Sequence, residues 1–421
     1  MHWPVLPITG PCRADEEICL LVELLNHAEI EAMYGAEVAA QAFQVMHQKM
    51  LHWGAQREAL HETSMLARWQ FKALVRLCGY HGFDAQDDDI ACGLEMLQAQ
   101  WSVDSLDMRG QHVLPLLAIH EVASPGEKIP HALSAAPSLS PLAISNSLKR
   151  SPVQGRSNEW LERHRSDMNL AWRWHMALGQ GRASLVLQPV RHSRTGEDLY
   201  HEALLRVADE QAGSDAETLS AGMAVMALER LGLVRPLDRL VVSTVIDRLE
   251  LETDHRLGCN ISAASLKLDG WWNVPLQRLT ARPDVAARLV VEVTETMPVT
   301  DLEAALTFLR KLKSLGCGIA LDDVGSGYSS LSLAREIRPD VIKVDASLLH
   351  AERNSHAATS TLGKLVGYCQ TLAPHVVLEG IEGKKDLALA RRVGAQWLQG
   401  YAIAMPAAPV LPMPVTGSFR C

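Results

Sequence analysis

From Leu185 onward, short apolar runs recur along the chain with longer mixed stretches between them. They are Leu185 to Val190, Glu202 to Val207, Gly258 to Ile261, Leu289 to Val293, Gly318 to Leu321, Val341 to Val344, Val376 to Leu378 and Ala395 to Leu398. Runs this short and this apolar suit strands buried on both faces, and the segments between later pairs, such as Leu302 to Leu315 and Thr359 to Ala373, have helical length. The rhythm predicts an α/β fold in which eight strands close a TIM-type (β/α)8 barrel. The stretch Arg191 to Tyr200 between the first two runs is polar, contains a glycine and is too short for a crossover helix. Those two strands are therefore expected to form a hairpin, leaving one barrel strand antiparallel to the others.

Upstream the pattern breaks. Between about Ser124 and Asn158 the chain turns Pro- and Ser-rich, as in Ala135-Ala136-Pro137-Ser138-Leu139-Ser140-Pro141, and holds no amphipathic period. Residues 124–158 read as a linker between a smaller N-terminal unit, 16–123, and the barrel unit, 160–410. No internal repeat is evident.

Composition narrows the classes. With 421 residues, 48% hydrophobic and 21% charged, the chain has material for two or three cores and excludes wholesale disorder. The balance of 49 acidic to 40 basic residues, net −9, argues against a broad nucleic-acid or anionic-membrane surface and leaves room only for a focused anion pocket. Eight cysteines stand at no zinc or redox-pair spacing, which suits a reducing compartment. No secretory leader and no membrane-length apolar stretch is recognisable, so a cytoplasmic protein is expected.

Candidate chemistry concentrates at the ends of the runs. The segment Leu321-Asp322-Asp323-Val324-Gly325-Ser326-Gly327-Tyr328-Ser329-Ser330-Leu331 ends an apolar strand on two adjacent carboxylates before a glycine-punctuated loop. Alone, Asp-Asp-x-Gly fits turn chemistry as well as a metal site. The other strand ends weigh towards a site, because Asn260, Glu292, Lys343, Glu379 and Gln399 recur at the position where barrel enzymes carry their chemistry. In the second run Glu202, Leu204 and Arg206 share a face by the period of two. Oxygen donors from Glu202, Asn260, Glu292 and Asp322 suit Mg²⁺ or Mn²⁺, and Arg206 offers a planar fork for a phosphate oxygen. Lys343 either balances the carboxylates or orients an attacking hydroxide.

These segments carry a family resemblance. Glu202-Ala203-Leu204-Leu205-Arg206 resembles the signature of EAL domains, the bacterial cyclic di-GMP phosphodiesterases. Cys259-Asn260-Ile261-Ser262, Glu292-Val293-Thr294-Glu295, the Asp322-Asp323 loop, Ile342-Lys343-Val344-Asp345, Glu379-Gly380-Ile381-Glu382 and Gln399-Gly400-Tyr401 follow in the family's order, across about Asp167 to Pro409. The resemblance implies a barrel that hydrolyses cyclic di-GMP to linear 5′-pGpG with two divalent cations, Mg²⁺ or Mn²⁺. It implies Glu202, Asn260, Glu292, Asp322 and Asp323 as metal ligands, Lys343 and Glu379 as groups that hold or activate water, and Arg206, Gln399 and Leu204 at the substrate. Glu295 would support the loop after Asp323, and family habit implies a homodimer through the barrel domain. Val324 and Ser326 replace the usual Phe and Thr of that loop, and Met405 precedes Pro406 where lysine is usual. These departures motivate the alternative of a cyclic di-GMP receptor that signals through a protein partner.

Leu20 to Leu51 resembles the opening strand and helix of GGDEF domains, an α+β fold. Ala67-Arg68-Trp69-Gln70-Phe71 stands where the Gly-Gly-Asp-Glu-Phe hairpin would lie and keeps only the phenylalanine, and no Arg-x-x-Asp pair precedes it. The N-terminal unit is therefore expected to be a degenerate, regulatory or dimerising module, with a possible protein partner of its own. Trp53, Trp69 and Trp101 are either core or an exposed recognition face.

Overall fold

The computed structural model describes residues 17–56, 60–67, 69–76, 106–108, 111–122, 158–208, 218–219, 221–294, 299–325, 330–352 and 356–413. The chain falls into two compact units, one formed mainly by residues up to 176 and the other mainly by those from 177 on. Among the described residues no helix is long and apolar enough to cross a membrane. Residues 124–157 of the proposed linker, Glu295, Ser326 and Trp101 lie outside the described residues, and the last linker residue, Asn158, opens the helix Asn158–Gly179.

In the first unit β1 (Glu17–Leu24) leads into helices His27–Tyr34 and Ala36–Gln56, followed by β2 (Leu60–Ala67), β3 (Gln70–Arg76), the short β4 (Leu106–Met108) and β5 (Gln111–Val113), and β6 (Leu117–Val122). The main sheet has the order β2-β3-β1-β6, antiparallel at each of the pairings β2–β3, β1–β3 and β1–β6. Alternation along β1 buries Leu20, Val22 and Leu24 against Phe43, Met46 and Met50 of the long helix. The Asn26 carboxamide ties the end of β1 to the segment before β6, donating to the Leu114 carbonyl and accepting from Leu116 N–H, both at 2.9 Å. Trp69, in the β2–β3 turn, is buried, stacked on His27 at 5.1 Å and edge-on to Phe43 at 5.9 Å. It is core rather than an exposed recognition face.

The second unit is a TIM-type barrel. Its eight staves are β7 (Ala183–His192), β8 (Asp198–Ala208), β10 (Leu257–Ser262), β11 (Leu289–Thr294), β12 (Gly318–Val324), β13 (Val341–Val344), β14 (His375–Leu378) and β15 (Trp397–Leu398), with short β9 (Thr218–Leu219) and β16 (Ala407–Pro412) appended. The staves from β8 through β15 pair in parallel, whereas β7 runs antiparallel to both β8 and β15 and closes the ring. The hairpin expected from the short Arg191 to Tyr200 stretch is thus present, and the eight apolar runs are the eight staves.

Helices between the staves are apolar on one side. In Leu302–Ser314, Ala305, Leu306, Phe308, Leu309 and Leu312 are buried, and Asp301 caps the N-terminus by accepting from Ala304 N–H at 2.9 Å. Behind β10, Asp238 and Glu229 are buried and occupied by structural bonds. Asp238 accepts from Ser262 N–H at 3.0 Å and from the Ser265 hydroxyl, and Glu229 accepts from the Ser262 hydroxyl at 2.6 Å. This network holds the chain where it leaves β10, just past Asn260.

Candidate active site

Because side chains alternate along a strand, the residue that ends each stave on the inner face is fixed by register. Gln188 of β7 stands opposite Glu202 of β8, Gly258 of β10 beside Glu202, and Asn260 beside Glu292 of β11. Glu202, Asn260, Glu292, Asp322, Lys343, Glu379 and Gln399 therefore meet at the C-terminal mouth. Lys343 is fully buried at their centre, with its ammonium 2.9 Å from Glu202 Oε2, 2.9 Å from Glu292 Oε2, 3.2 Å from Asp322 Oδ1 and 2.8 Å from Glu379 Oε1. Glu202 also accepts from Asn260 Nδ2 and from Gln399 Nε2, each at 2.6 Å.

Asp322 and Asp323 are adjacent, so an unbroken strand would point them to opposite faces. The β12–β13 register shifts between Leu321 and Val324, and Asp323 takes a left-handed φ of 54°. This bulge turns both carboxylates towards the mouth. Two overlapping groups result, Glu202–Glu292–Asp322 and Asp322–Asp323–Glu379, and in each the carboxylate oxygens lie within 4.8 Å of one another. Asp322 belongs to both.

Crowding of like charge sets the proton affinities. Burial, then the charge of Glu202, pushes Glu292 up to about 8. Burial and Asp322 raise Asp323 to about 7, and burial raises Asp322 and, strongly, Glu379. Burial acts the same way on Glu202, but the Lys343 charge and the hydrogen bonds from Lys343, Gln399 and Asn260 outweigh it and hold that carboxyl below its ordinary value. Lys343 is disfavoured by burial, yet its four carboxylates keep it charged, far above the usual lysine range.

The donor set fits a pair of hard divalent cations. It is all oxygen, and Asn260 Oδ1 and Glu292 Oε1 are buried acceptors with no hydrogen-bond donor. Arg206 and Leu204 follow Glu202 along the same face and are half-buried, with Arg206 Nη1 bonded to the Leu205 carbonyl at 2.8 Å.

Gln188 escaped the reading of the sequence. Its amide donates to the Ala404 carbonyl at 3.0 Å and its oxygen accepts from Gln399 Nε2 at 3.3 Å, so it braces the glutamine that braces Glu202. The available signal was a lone carboxamide inside the apolar run Leu185 to Val190. Gly400 permits the same turn: its φ is 146°, and a Cβ there would lie 2.3 Å from Ile381 N. Gly258 is equally constrained, since a Cβ would lie 2.2 Å from Glu292 Oε1 and 2.6 Å from the Tyr200 ring. Gly258→Ala is expected to displace the Glu292 carboxylate and weaken Mn²⁺ binding by about tenfold or more, measured by titration of the intact protein.

The family model described as EAL domain matches residues 173–406. Cyclic di-GMP phosphodiesterase PdeF of Escherichia coli (strain K12) is 27% identical over 261 residues, covering 60% of this chain and 34% of the relative. The solved complex of the PaMucR phosphodiesterase with c-di-GMP aligns at 26% identity and a TM-score of 0.50, covering 58% of this chain and 98% of that one. Vibrio cholerae LapD, solved as an S helix-GGDEF-EAL chain, shares the fold at 15% identity and a TM-score of 0.51 over 92% of this chain and 89% of its own. The chain spans 30% to 38% of the length of the first three curated relatives it matches.

Proposed function

The chain belongs to the EAL domain family, and on that premise we propose that it hydrolyses cyclic di-GMP to linear 5′-pGpG with the help of two divalent cations, Mg²⁺ or Mn²⁺. The observation that carries this is the pair of three-carboxylate groups sharing Asp322 around a buried lysine. Glu202, Asn260, Glu292 and Asp322 would hold one cation, and Asp322, Asp323 and Glu379 the other. Bound there, the cations would supply Lewis acidity to the phosphoryl oxygens and acidify the attacking water.

The remaining steps fall to the chain's own side chains. Arg206 grips a non-bridging phosphate oxygen with its fork, and Leu204 gives the nucleotide an apolar contact. Gln399, braced by Gln188, and Lys343 together fix the Glu202 carboxylate, so the phosphate meets a rigid set of oxygens. Lys343 and Glu379 together hold and activate the attacking water in line with phosphorus. The new bond forms from water oxygen to phosphorus, the bond from phosphorus to the 3′ oxygen breaks, and the proton lost by the water ends on that oxygen as the free hydroxyl of 5′-pGpG.

The reading extends to the other parts of the chain. Residues 160–410 act as the catalytic domain, which pairs with a second copy, and 124–158 as a linker. Residues 16–123 form a degenerate GGDEF-like domain with a regulatory or dimerising role and a protein partner. The two helices between β1 and β2, the β2-β3-β1-β6 order and the LapD likeness support that assignment. The burial of Trp69 in the turn where a cyclase would need glycines supports an inactive nucleotide site.

The test is turnover of cyclic di-GMP by the purified full chain with Mg²⁺ or Mn²⁺, following 5′-pGpG by chromatography. Product is expected, and chelation by EDTA should abolish it. Binding of the nucleotide without product would overturn the enzyme in favour of the receptor. Loading should also depend on pH. Glu292, near 8 without a cation, must lose its proton to become a ligand, so Mn²⁺ affinity should rise as pH increases from 6 towards about 8 and then level off.

A further inference from the structure

Asn260 is the uncharged member of the first cation group, so what it contributes depends on where its carbonyl oxygen stands. Its Nδ2 donates to Glu202 Oε1 at 2.6 Å, which leaves the buried Oδ1, an acceptor with no donor, for the cation. The backbone beneath it is unevenly supported. On the β11 side the ladder runs the whole length of β10, from Leu257 opposite Leu289 to Ser262 opposite Thr294. On the β8 side it stops at Cys259 opposite Ala203, one residue short of Asn260. Beyond Ala203, β8 continues as the partner of β7 and β9.

Strand geometry fixes which backbone groups lose a strand partner there. Leu257 N–H donates to the Arg288 carbonyl on the β11 side at 3.0 Å, so by alternation Gly258, Asn260 and Ser262 direct theirs towards β8. Ser262 N–H lies past the end of the β8 ladder, and Asp238 Oδ2 accepts it instead, at 3.0 Å. The same oxygen accepts from the hydroxyl of Ser265, whose own carbonyl accepts from the Trp272 indole at 3.0 Å. Asp238 belongs to the first turn of the helix Arg235–Leu251 and is buried, as are Ser262 and Ser265. A hydrogen bond to a charged acceptor is roughly twice as strong as a neutral one, which suits a strand end that must not move.

We propose that Asp238 is a positioning residue for Asn260: it takes over the hydrogen-bond ladder where β8 leaves β10, and so fixes the place of Asn260 Oδ1 in the first cation group. This role rests on the metal-dependent reading above. It goes beyond that reading in naming a residue that lies behind the strand and acts on the cation only through a ligand. Outer partners of this kind alter metal affinity more than the capacity of the loaded site.

The experiment is a double-mutant cycle on the full chain, comparing wild type, Asp238→Ala, Asn260→Ala and the pair. Mn²⁺ affinity is measured by the resonance signal of the free ion, beside cyclic di-GMP turnover across Mn²⁺ concentrations and the Tm of metal-free protein. In Asp238→Ala the Mn²⁺ dissociation constant is expected to rise about tenfold, with kcat at saturating Mn²⁺ within about threefold of wild type. In the Asn260→Ala background the same substitution should change the constant by less than about twofold, because the ligand it acts through is gone. Asp238→Asn, whose oxygen can still accept from Ser262 N–H, should restore Mn²⁺ affinity to within about threefold of wild type. A purely structural role would lower Tm and weaken Mn²⁺ binding by the same factor in both backgrounds, and that result overturns the proposal. Wild-type Mn²⁺ affinity in Asp238→Ala, with weakened affinity in Asn260→Ala, also overturns it and leaves the metal site standing. If Asn260→Ala binds Mn²⁺ unchanged, the reading of Asn260 as a ligand fails and the proposal with it. Should Asp238→Ala not fold, Asp238→Glu takes its place in the cycle, its extra methylene displacing the end of β10. The same loss, confined to the chain that keeps Asn260, then supports the proposal, and wild-type affinity refutes it.

Discussion

Replacing Glu202 by alanine is expected to lower kcat/KM for cyclic di-GMP by about a thousandfold or more, equivalent to about 4 kcal/mol of lost transition-state stabilisation. Three donors from three different staves, Asn260 Nδ2, Lys343 Nζ and Gln399 Nε2, converge on this carboxylate, which is the one in the cluster held below its ordinary pKa. It is thus already ionised across the working pH range, so no proton has to leave when a cation arrives. Removing it takes away a metal ligand and strands a buried amide and part of a buried ammonium. The loss should appear in kcat as well as in metal affinity, so added Mn²⁺ will not restore it. Turnover within about tenfold of wild type would sink the assignment of Glu202 to the metal site.

Lys343→Met is expected to have the largest effect on stability. The ammonium is wholly buried and offsets four carboxylates at 2.8 to 3.2 Å, so a neutral side chain leaves their mutual repulsion uncompensated. Removing one partner of a buried ionic cluster typically costs about 3–5 kcal/mol. The pH dependence has a definite sign. Lys343 has a folded-state pKa raised above its unfolded value, so its stabilisation is fully present below the unfolded pKa and is lost only in strongly alkaline solution. The variant's repulsion, by contrast, fades as pH falls, because Glu292 and Asp323, raised by burial and neighbouring carboxylates and no longer lowered by Lys343, take up protons the more readily. The deficit relative to wild type should therefore be larger at pH 8.5 than at pH 5.5, as read by urea unfolding of metal-free protein. Mn²⁺ should raise the variant's Tm more than the wild type's, since cations supply the missing positive charge. An equal deficit at both pH values would contradict the neutralising role.

The barrel was legible because most of its staves are buried on both faces, which makes each a short, mainly apolar run broken only by a polar residue facing the mouth. Short connections did the rest: Arg191 to Tyr200 was too brief for anything but a hairpin. The mouth residues were legible as isolated polar residues in or at the end of apolar runs, except Glu202, which opens its run and was marked by the family signature that follows it. What escaped notice depended on contacts between distant segments. Gln188 matters through Gln399 and the Ala404 carbonyl, partners more than two hundred residues away in the chain. Gly258 is needed because of where Tyr200 and Glu292 arrive from neighbouring staves. Adjacency alone leaves Asp322 and Asp323 between a turn and a metal site, the family resemblance implies both as ligands, and strand alternation argues against both facing inward. Only the bulge with its left-handed Asp323 resolves that conflict, and a backbone conformation of this kind has no reliable mark in the residue types. Trp69 was ambiguous because a tryptophan beside a turn has the same spelling in a core as on a surface.

The antiparallel stave carries a kinetic consequence. β7 is the first barrel strand in the chain, yet its partners are β8, which follows it at once, and β15 and β16, which arrive last. Ring closure must wait for pairs such as Leu398 with Arg191 and Leu411 with Leu185, contacts that span almost the whole domain. Until then the growing sheet has two open edges, β7 on one side and the latest parallel stave on the other, each a row of unpaired peptide groups. High contact order of this kind slows folding, and exposed edges invite association between unfinished chains. Assembly of the barrel is thus governed by its final residues, and the hairpin that starts the domain is a template held ready for the strand that completes it.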